Sequence, residues 1–193
     1  MDYKYFKNAV EITKMIMEKT IFPGDIVIDC TVGKGNDTIK LAKLVGPYGK
    51  VYGFDIQNTA IKLTEGKLKN ENLLERVILI NDGHENLSQY INKSKKVSFV
   101  VFNLGYLPEG DHSIITKTET TLIALKKSLT VLVPGGILLI TCYPGHDGGQ
   151  EEMENVEEFL SSLNQKEYST LKFQFINQIN NPPILYGVEK NNF

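Results

Sequence analysis

A glycine-rich stretch, residues 29–38, has the composition of a turn that approaches a ligand. Gly33 and Gly35 let the backbone turn sharply and come close to a bound molecule that side chains would exclude. The stretch joins an apolar segment to a helix-like one, and in open parallel sheets such junctions face the ligand site. Thr38 replaces the third glycine of a dinucleotide-binding turn, and no phosphate-binding Gly-Lys-Ser/Thr follows. The predicted cofactor contacts here are Asp29, Thr31, Gly33, Lys34, Gly35, Asn36, Asp37 and Thr38.

Two further apolar segments end in polar residues that fit the same cofactor site. Asp55 follows the second segment, at the spacing of roughly 20 residues at which a carboxylate accepts hydrogen bonds from both ribose hydroxyls. The alternative for Asp55 is the N-cap of a helix. Gly83 and His84 follow the third segment, where we expect them to border an adenine. For His84, helix capping is an equal alternative.

The fourth apolar segment ends in residues suited to methyl transfer to nitrogen. Asn103-Leu104-Gly105-Tyr106 is similar to the Asp/Asn-Pro-Pro-Tyr/Phe motif of amino-directed methyltransferases. The Asn103 amide oxygen and the Leu104 carbonyl could hold an acceptor nitrogen in line with a sulfonium methyl group, and Tyr106 could stack on a base. Asn103 also counts as a cofactor contact. Leu-Gly replaces Pro-Pro, so a purely structural role for Asn103 and Tyr106 stays an alternative.

Two polar, glycine-containing loops, residues 109–112 and 143–149, are expected at the same end of the sheet. An alkyl amine is mostly protonated at neutral pH, so its methylation needs a proton acceptor. Asp111 or His146 could take that proton, and loop-fixing hydrogen bonds are the alternative for each. The three histidines lack the close spacing of a zinc site, so no metal is predicted.

Composition places the chain among ordinary globular proteins. Of its 193 residues, 41% are hydrophobic and 23% charged, and the net charge is −2. This net charge does not indicate a nucleic-acid-binding protein, although a local lysine patch would suffice. Apolar runs fall far short of the roughly 20 residues that span a bilayer. Cys30 and Cys142 have no metal-type spacing, and we expect buried free thiols in a cytoplasmic protein.

The order of elements predicts one α/β domain over residues 1–193. Helices are predicted at 3–20, from the glycine-rich turn to 45, at 58–70, from 116 to the Pro-Gly-Gly at 134–136, and at 150–163. Strands are predicted at 26–30, 50–56, 76–81, 97–103, 137–143, 168–178 and 184–189. Alternation gives a parallel sheet with helices on both faces, and the last two strands, joined without a helix, must pair antiparallel. This is the Rossmann-like class I methyltransferase architecture, with seven strands.

These motifs resemble, nearly end to end, a bacterial methyltransferase family long labelled rRNA methylases. The resemblance rests on residues 31–38, 53–57, 102–108 and 143–149, on Asn177-Gln178 and on 181–183. It implies S-adenosylmethionine as cofactor, S-adenosylhomocysteine as product, and 5-aminomethyl-2-thiouridine at the tRNA wobble position as methyl acceptor. It also implies cofactor contacts at the glycine-rich turn, Asp55, Gln57, Gly83 and His84. Lys34 stands where the family commonly has Asn, and Glu109 departs from its pattern.

The implied partner is a tRNA anticodon stem-loop, with no membrane and no metal, and a homodimer is left open. One alternative keeps the chemistry but methylates a base amine of ribosomal RNA. A second is a nicotinamide-dependent oxidoreductase, which the missing third glycine and the terminal strand pair disfavour. A third is a non-catalytic RNA-binding module, which would not need the arrangement around Asn103 and Tyr106.

Overall fold

Seven strands form one sheet in the computed structural model, which describes residues 3–92, 94–105, 115–145 and 148–192. The strands are β1 (Ile26–Asp29), β2 (Lys50–Phe54), β3 (Val77–Ile80), β4 (Val97–Leu104), β5 (Leu132–Cys142), β6 (Tyr168–Phe173) and β7 (Ile184–Lys190). Their order is β3-β2-β1-β4-β5-β7-β6, and β7 runs antiparallel to both of its neighbours. The predicted, mostly parallel sheet with a C-terminal antiparallel hairpin is confirmed.

Helices cover both faces of this sheet. They are α1 (Ala9–Thr20), α2 (Asn36–Leu44), α3 (Asn58–Asn70), α4 (Leu87–Tyr90), α5 (Thr118–Val131) and α6 (Gly149–Ser161), and short 3-10 turns lie at Leu74–Arg76 and His84–Asn86. One apolar core lies between the sheet and α1, α2 and α3, and the other between the sheet and α4, α5 and α6. Two separate cores of this kind are what a doubly covered sheet requires.

Strand β4 shows how the cores fix the register of the sheet. Successive side chains of a strand point to opposite faces. Phe99 and Val101 are fully buried in the core of α1, α2 and α3, whereas Val100 and Phe102 are fully buried in the other. A slip of one residue would exchange the two sets, so the position of Asn103 just beyond them is well determined.

The first helix begins later than predicted. We expected a helix from residue 3 with Tyr5 on its buried face, but α1 begins at Ala9 and Tyr5 is exposed. Asn8 is the N-cap, with extended backbone dihedrals, and its side chain accepts a hydrogen bond of 2.9 Å from the Glu11 backbone N–H. A side-chain acceptor at this position stabilises a helix start, so the prediction for residues 3–8 is wrong.

Two strand bounds also differ from the prediction. We expected Pro134-Gly135-Gly136 to precede the fifth strand, but β5 already begins at Leu132. The pairing of β5 with β4 shifts register between Val97 and Phe99, and this irregularity accommodates the Pro-Gly-Gly sequence. Strand β6 ends at Phe173 instead of continuing to residue 178.

The two cysteines are buried and free, as predicted. Within the part of the chain that the structure describes, no helix has the length and apolar character needed to cross a membrane.

Gly35, the N-cap of α2, packs against α3, and we predict that Gly35→Ala destabilises the fold. Its φ is +78°, and a Cβ there would lie 2.5 Å from the Thr64 Oγ1 of α3. Strain and overlap together should lower the free energy of unfolding by about 1–3 kcal/mol. Thermal unfolding monitored by circular dichroism measures the loss.

The matched control is Gly66→Ala, inside α3, where an added Cβ meets no atom within 4 Å. Alanine is a better helix former than glycine by up to about 1 kcal/mol, so this variant should be neutral or more stable. Equal melting temperatures for the two variants would contradict the role assigned to Gly35.

Candidate active site

A cavity of about 780 Å³ opens at the carboxyl ends of the parallel strands, beside β1 and β4. This is the place at which open α/β sheets bind ligands. The predicted residues that line it are Thr31, Gly33, Lys34, Asn36, Asp37, Asp55, Gln57, Gly83, His84 and Asn103. The predicted contacts Asp29, Gly35 and Thr38 are not among the lining residues. Tyr106, Asp111 and His146 lie outside the described residues, so their predicted roles stay predictions.

Asp29 supports the glycine-rich turn from the protein interior. It ends β1 and is fully buried. The Thr38 hydroxyl donates to its carboxylate at 2.6 Å, and the Thr31 backbone N–H donates at 3.1 Å. Burial, and then the nearby Asp37 carboxylate, raises the pKa of Asp29 to about 7. Thr38, in the position of the missing third glycine, therefore ties α2 to β1 by a side-chain hydrogen bond.

Asp55 connects the turn to the end of β2. Its carboxylate accepts a hydrogen bond from the Gly33 backbone N–H at 2.8 Å and another from the Gln57 backbone N–H at 2.8 Å. Burial raises the pKa of Asp55. The N-cap residue of α3 is Gln57, so Asp55 is not the helix cap. Each carboxylate oxygen has further lone pairs, which leaves acceptor capacity toward the cavity for ribose hydroxyls.

His84 has a defined tautomer. Its Nδ1 lies 3.0 Å from the Cys30 carbonyl oxygen, so this nitrogen must carry the proton and donate. Burial lowers the pKa of His84, which favours the neutral ring. Its Nε2 is then a bare acceptor, and this atom is buried without a hydrogen-bond partner among the described residues. The ring packs edge-on against Phe102, with centroids 5.5 Å apart, and makes no helix-capping bond.

Asp82, which precedes Gly83 and His84, shapes the turn after β3. Its carboxylate accepts hydrogen bonds from the Gly83 backbone N–H, the Asn86 amide and the Tyr90 hydroxyl, at 2.7, 2.9 and 2.9 Å. The Asn86 and Tyr90 bonds are the main reason that the pKa of Asp82 is lowered. The orphaned His84 Nε2 and the Asp55 carboxylate fit an adenosine, because they offer acceptors for an adenine amino group and for ribose hydroxyls.

Asn103 is held from two sides by the glycine-rich turn. Its backbone N–H donates to the Thr31 hydroxyl at 2.7 Å, and its side-chain amide donates to the Asp37 carboxylate at 2.8 Å. A carboxylate cannot donate in return, so the amide NH₂ faces Asp37 and the Asn103 Oδ1 is the atom left to accept from a ligand. Burial raises the pKa of Asp37, and the Asn103 bond opposes this rise. The sequence suggested Asp37 as a cofactor contact and gave no sign of this pairing.

The turn after Asn103 is fixed by a buried glutamate that sequence analysis missed. The Gly105 N–H donates to the Thr116 hydroxyl at 2.9 Å. Gly105 has a φ of +142°, which the proline at this position of the amino-methyltransferase motif could not adopt, and proline, which lacks an N–H, could not make this bond. The Thr116 hydroxyl donates at 2.6 Å to Glu152 of α6, and the Thr121 hydroxyl donates to the same carboxylate at 2.7 Å. Glu152 is 3% exposed.

A sequence signal for Glu152 existed. It lies one helical turn before Val156 and two before Leu160, on the apolar face of α6. A carboxylate on a buried face requires hydrogen-bond partners, and Thr116 and Thr121 supply them. In the described ranges, no group of three or more His, Cys, Asp and Glu side chains is placed to hold a metal ion.

Comparison with known proteins identifies the family. The family model described as "Putative rRNA methylase" matches residues 51–189. The chain is 40% identical over 96% of its length to the chloroplastic tRNA (mnm(5)s(2)U34)-methyltransferase of Arabidopsis thaliana, and covers 71% of that protein. The chain belongs to this methyltransferase family. The predicted resemblance, enzyme class and cofactor S-adenosylmethionine are thereby confirmed.

Solved members of the family share the whole fold. The chain is 48% identical to the putative rRNA methylase of Clostridium thermocellum, with a TM-score of 0.93 over 98% of this chain and 100% of that one. It is 37% identical to the putative methyltransferase SMU.1697c of Streptococcus mutans, determined in complex with SAH, with a TM-score of 0.86 over 98% and 99% of the chains.

We predict that Asp29→Asn makes the stability of the fold less dependent on pH. A pKa raised from 3.8 to about 7 means that the folded protein binds the Asp29 proton more tightly than the unfolded chain. The free energy of unfolding of the wild type should therefore fall as the pH rises from about 4 to about 7. Asparagine removes this titration, can accept from Thr31 N–H and can donate to the Thr38 hydroxyl.

Urea denaturation at several pH values across that range tests this. The wild type should lose on the order of 1 kcal/mol or more relative to Asp29→Asn between the two ends. Parallel stability profiles for the two proteins would contradict a raised pKa at Asp29.

We also predict that Glu152 positions the Asn103–Gly105 turn. Glu152→Ala leaves two threonine hydroxyls without their acceptor and should cost about 1–3 kcal/mol of stability. It should also lower kcat for methyl transfer by about tenfold or more, because Gly105 loses its anchor through Thr116.

Glu152→Gln should recover most of kcat, since its amide oxygen still accepts from a threonine. The matched control is Glu154→Ala on the exposed side of α6, where the carboxylate contacts Gln150. If Glu152→Ala loses stability but keeps the wild-type kcat below its melting temperature, Glu152 supports only the fold.

Proposed function

We propose that the protein methylates the aminomethyl nitrogen of 5-aminomethyl-2-thiouridine at the wobble position of tRNA, giving 5-methylaminomethyl-2-thiouridine. The observation that carries this proposal is the orientation of the Asn103 amide by Asp37, which leaves its Oδ1 as an acceptor at the cavity. An amine acceptor needs such an oxygen to fix its N–H bonds while its lone pair is used. The Arabidopsis relative, named for the same nucleotide, supports the choice of substrate.

The residues divide into two groups along the cavity. Gly33, Asp55, Gln57 and His84 would hold the adenosine part of S-adenosylmethionine. When bound, the cofactor supplies an electrophilic methyl group on sulfur and is converted to S-adenosylhomocysteine. Asn103 and the Leu104 carbonyl would orient the amine, and Thr31 and Asp37 keep Asn103 in place. The gain in reaction rate would come from positioning, because the chain places the nucleophile and forms no covalent bond with it.

The amine must lose one proton to become nucleophilic. Transfer of the methyl group from the sulfonium then breaks the carbon–sulfur bond and gives a secondary ammonium, which needs no further deprotonation at neutral pH. Asp111 and His146 are the predicted proton acceptors. Methyl transfer by Asp111→Ala and His146→Ala, followed from about pH 6 to 9, decides whether either acts as a base. Full turnover by both variants across that range would remove a protein base from the mechanism.

A second candidate acceptor is a base amine of ribosomal RNA, which the description of the family model favours. The same Asn103 geometry would serve it, because an exocyclic amine also needs its N–H bonds held. The experiment below therefore offers both RNAs.

We predict methyl transfer to tRNA carrying 5-aminomethyl-2-thiouridine and its loss in Asn103→Ala. Purified protein is incubated with tritiated S-adenosylmethionine and either that tRNA or ribosomal RNA. Removing the oriented acceptor should lower kcat by about 100-fold. Asp37→Asn should lower it much less than Asp37→Ala, because the amide oxygen of the new side chain can still accept from the Asn103 amide.

The matched control is Asn70→Ala, at the exposed end of α3. Stabilisation by S-adenosylhomocysteine, measured as a rise in Tm, shows in each variant whether cofactor binding survives. Transfer to ribosomal RNA alone would keep the enzyme class and overturn the tRNA substrate. Full activity of Asn103→Ala would remove Asn103 from the mechanism.

A further inference from the structure

Residues 3–8, here called the N-terminal arm, present aromatic side chains to solvent. Tyr3, Tyr5 and Phe6 are 52%, 59% and 68% exposed. The arm precedes α1 because Asn8 caps that helix. Three exposed aromatic rings within four residues are costly in water and mark a surface that contacts another molecule.

The arm immediately precedes a helix whose first turns line the cavity. Val10 and Lys14, in the first turns of α1, line the cavity directly. Tyr5 and Phe6 precede Val10 by only a few residues, and a chain extends at most about 3.5 Å per residue. The Cα atoms of Tyr5 and Phe6 are therefore within about 18 Å of the Val10 Cα atom. A substrate of nucleic-acid size whose reactive group enters the cavity spans that distance.

The charge of the arm indicates the kind of partner. The arm contains Lys4 and Lys7 and no acidic residue, although the whole chain has a net charge of −2. The Lys4 Nζ lies 5.1 Å from the centroid of the Tyr5 ring. Lys117 lines the same cavity, and so does Lys14, whose ammonium is paired with the Glu11 carboxylate at 2.8 Å. Aromatic rings interleaved with cations bind unpaired bases and the phosphates that join them.

We propose that the N-terminal arm binds single-stranded RNA next to the target nucleotide. Tyr5 and Phe6 stack on unpaired bases, and Lys4 neutralises a neighbouring phosphate. Double-stranded RNA is a poor partner because its bases expose no faces for stacking. The proposal rests on the RNA substrate proposed above and adds the surface that holds it and the requirement for unpaired nucleotides.

The test measures binding of a fluorescein-labelled anticodon stem-loop RNA by fluorescence anisotropy. A blunt RNA duplex of equal length serves as the comparison probe. The double variant Tyr5→Ala Phe6→Ala should bind the stem-loop about 10-fold more weakly or worse, since each stacked base contributes about 5- to 100-fold. Its weaker binding to the duplex should be unchanged.

Two exposed aromatic residues near the amino ends of the parallel strands, opposite to the cavity, give matched controls. Phe22 and Tyr48, 63% and 91% exposed, precede β1 and β2. Phe22→Ala and Tyr48→Ala should bind the stem-loop within about twofold of wild type, as distant surface changes do. Lys4→Ala should reduce the slope of log affinity against log salt by about 0.7, the value for one phosphate contact on a single strand. Lys19→Ala, at the far end of α1, should leave that slope unchanged.

Several outcomes would overturn the proposal. These are wild-type affinity in the Tyr5→Ala Phe6→Ala variant, an equal loss for stem-loop and duplex, or no binding of the stem-loop by the wild type. A change from dimer to monomer in sedimentation, with RNA affinity intact, would make the arm an interface between copies of the chain. Failure of the proposed function looks different, because the wild type would then bind the stem-loop through the arm but transfer no methyl group to tRNA.

Discussion

The hydrogen bonds between the glycine-rich turn and Asn103 are the constraint on which the site depends. Strands β1 and β4 are parallel neighbours, so their carboxyl ends meet at one edge. The Thr31 hydroxyl and the Asp37 carboxylate, both from the turn, hold Asn103 at the end of β4. The residues expected to bind the cofactor and the residue expected to orient the acceptor are thereby one rigid unit. Such preorganisation is what transfer between two bound molecules requires.

Four carboxylates are wholly or partly removed from water at this edge of the sheet. Asp29 and Glu152 are almost completely buried, and each accepts two hydrogen bonds from within the protein. Asp37 and Asp55 are partly buried and have raised pKa values because of that burial. Burying charge lowers stability, so this cluster is better explained by the geometry that it imposes on the turns than by any contribution to folding.

The sequence predicted what depends on local pattern and missed what depends on distant pairs. Periodicity and glycine positions were sufficient for the sheet, the two helical layers and the turn at Gly33 and Gly35. The partnership of Asp37 with Asn103 spans 66 residues, and that of Thr116 with Glu152 spans 36. Neither spacing has a local signature, so only the fold reveals them. The start of α1 was missed because helical spacing of apolar residues continued past a capping Asn8.

The distribution of charge makes the proposed RNA substrate compatible with an acidic protein. Asp55, Asp82 and Glu85 line the cavity near β2 and β3, where neutral ribose and adenine groups would need acceptors. Lys14 and Lys117 line it near α1 and α5, on the side of Asn103. In the net charge of the chain, such acidic and basic regions nearly cancel. A phosphate group, however, responds to the local field within about a Debye length of 8–10 Å. A negative net charge therefore does not argue against RNA at this site. Of the acidic side chains that line the cavity, only Asp37 lies beside Asn103, whose amide it binds, and the others lie at the end assigned to the cofactor.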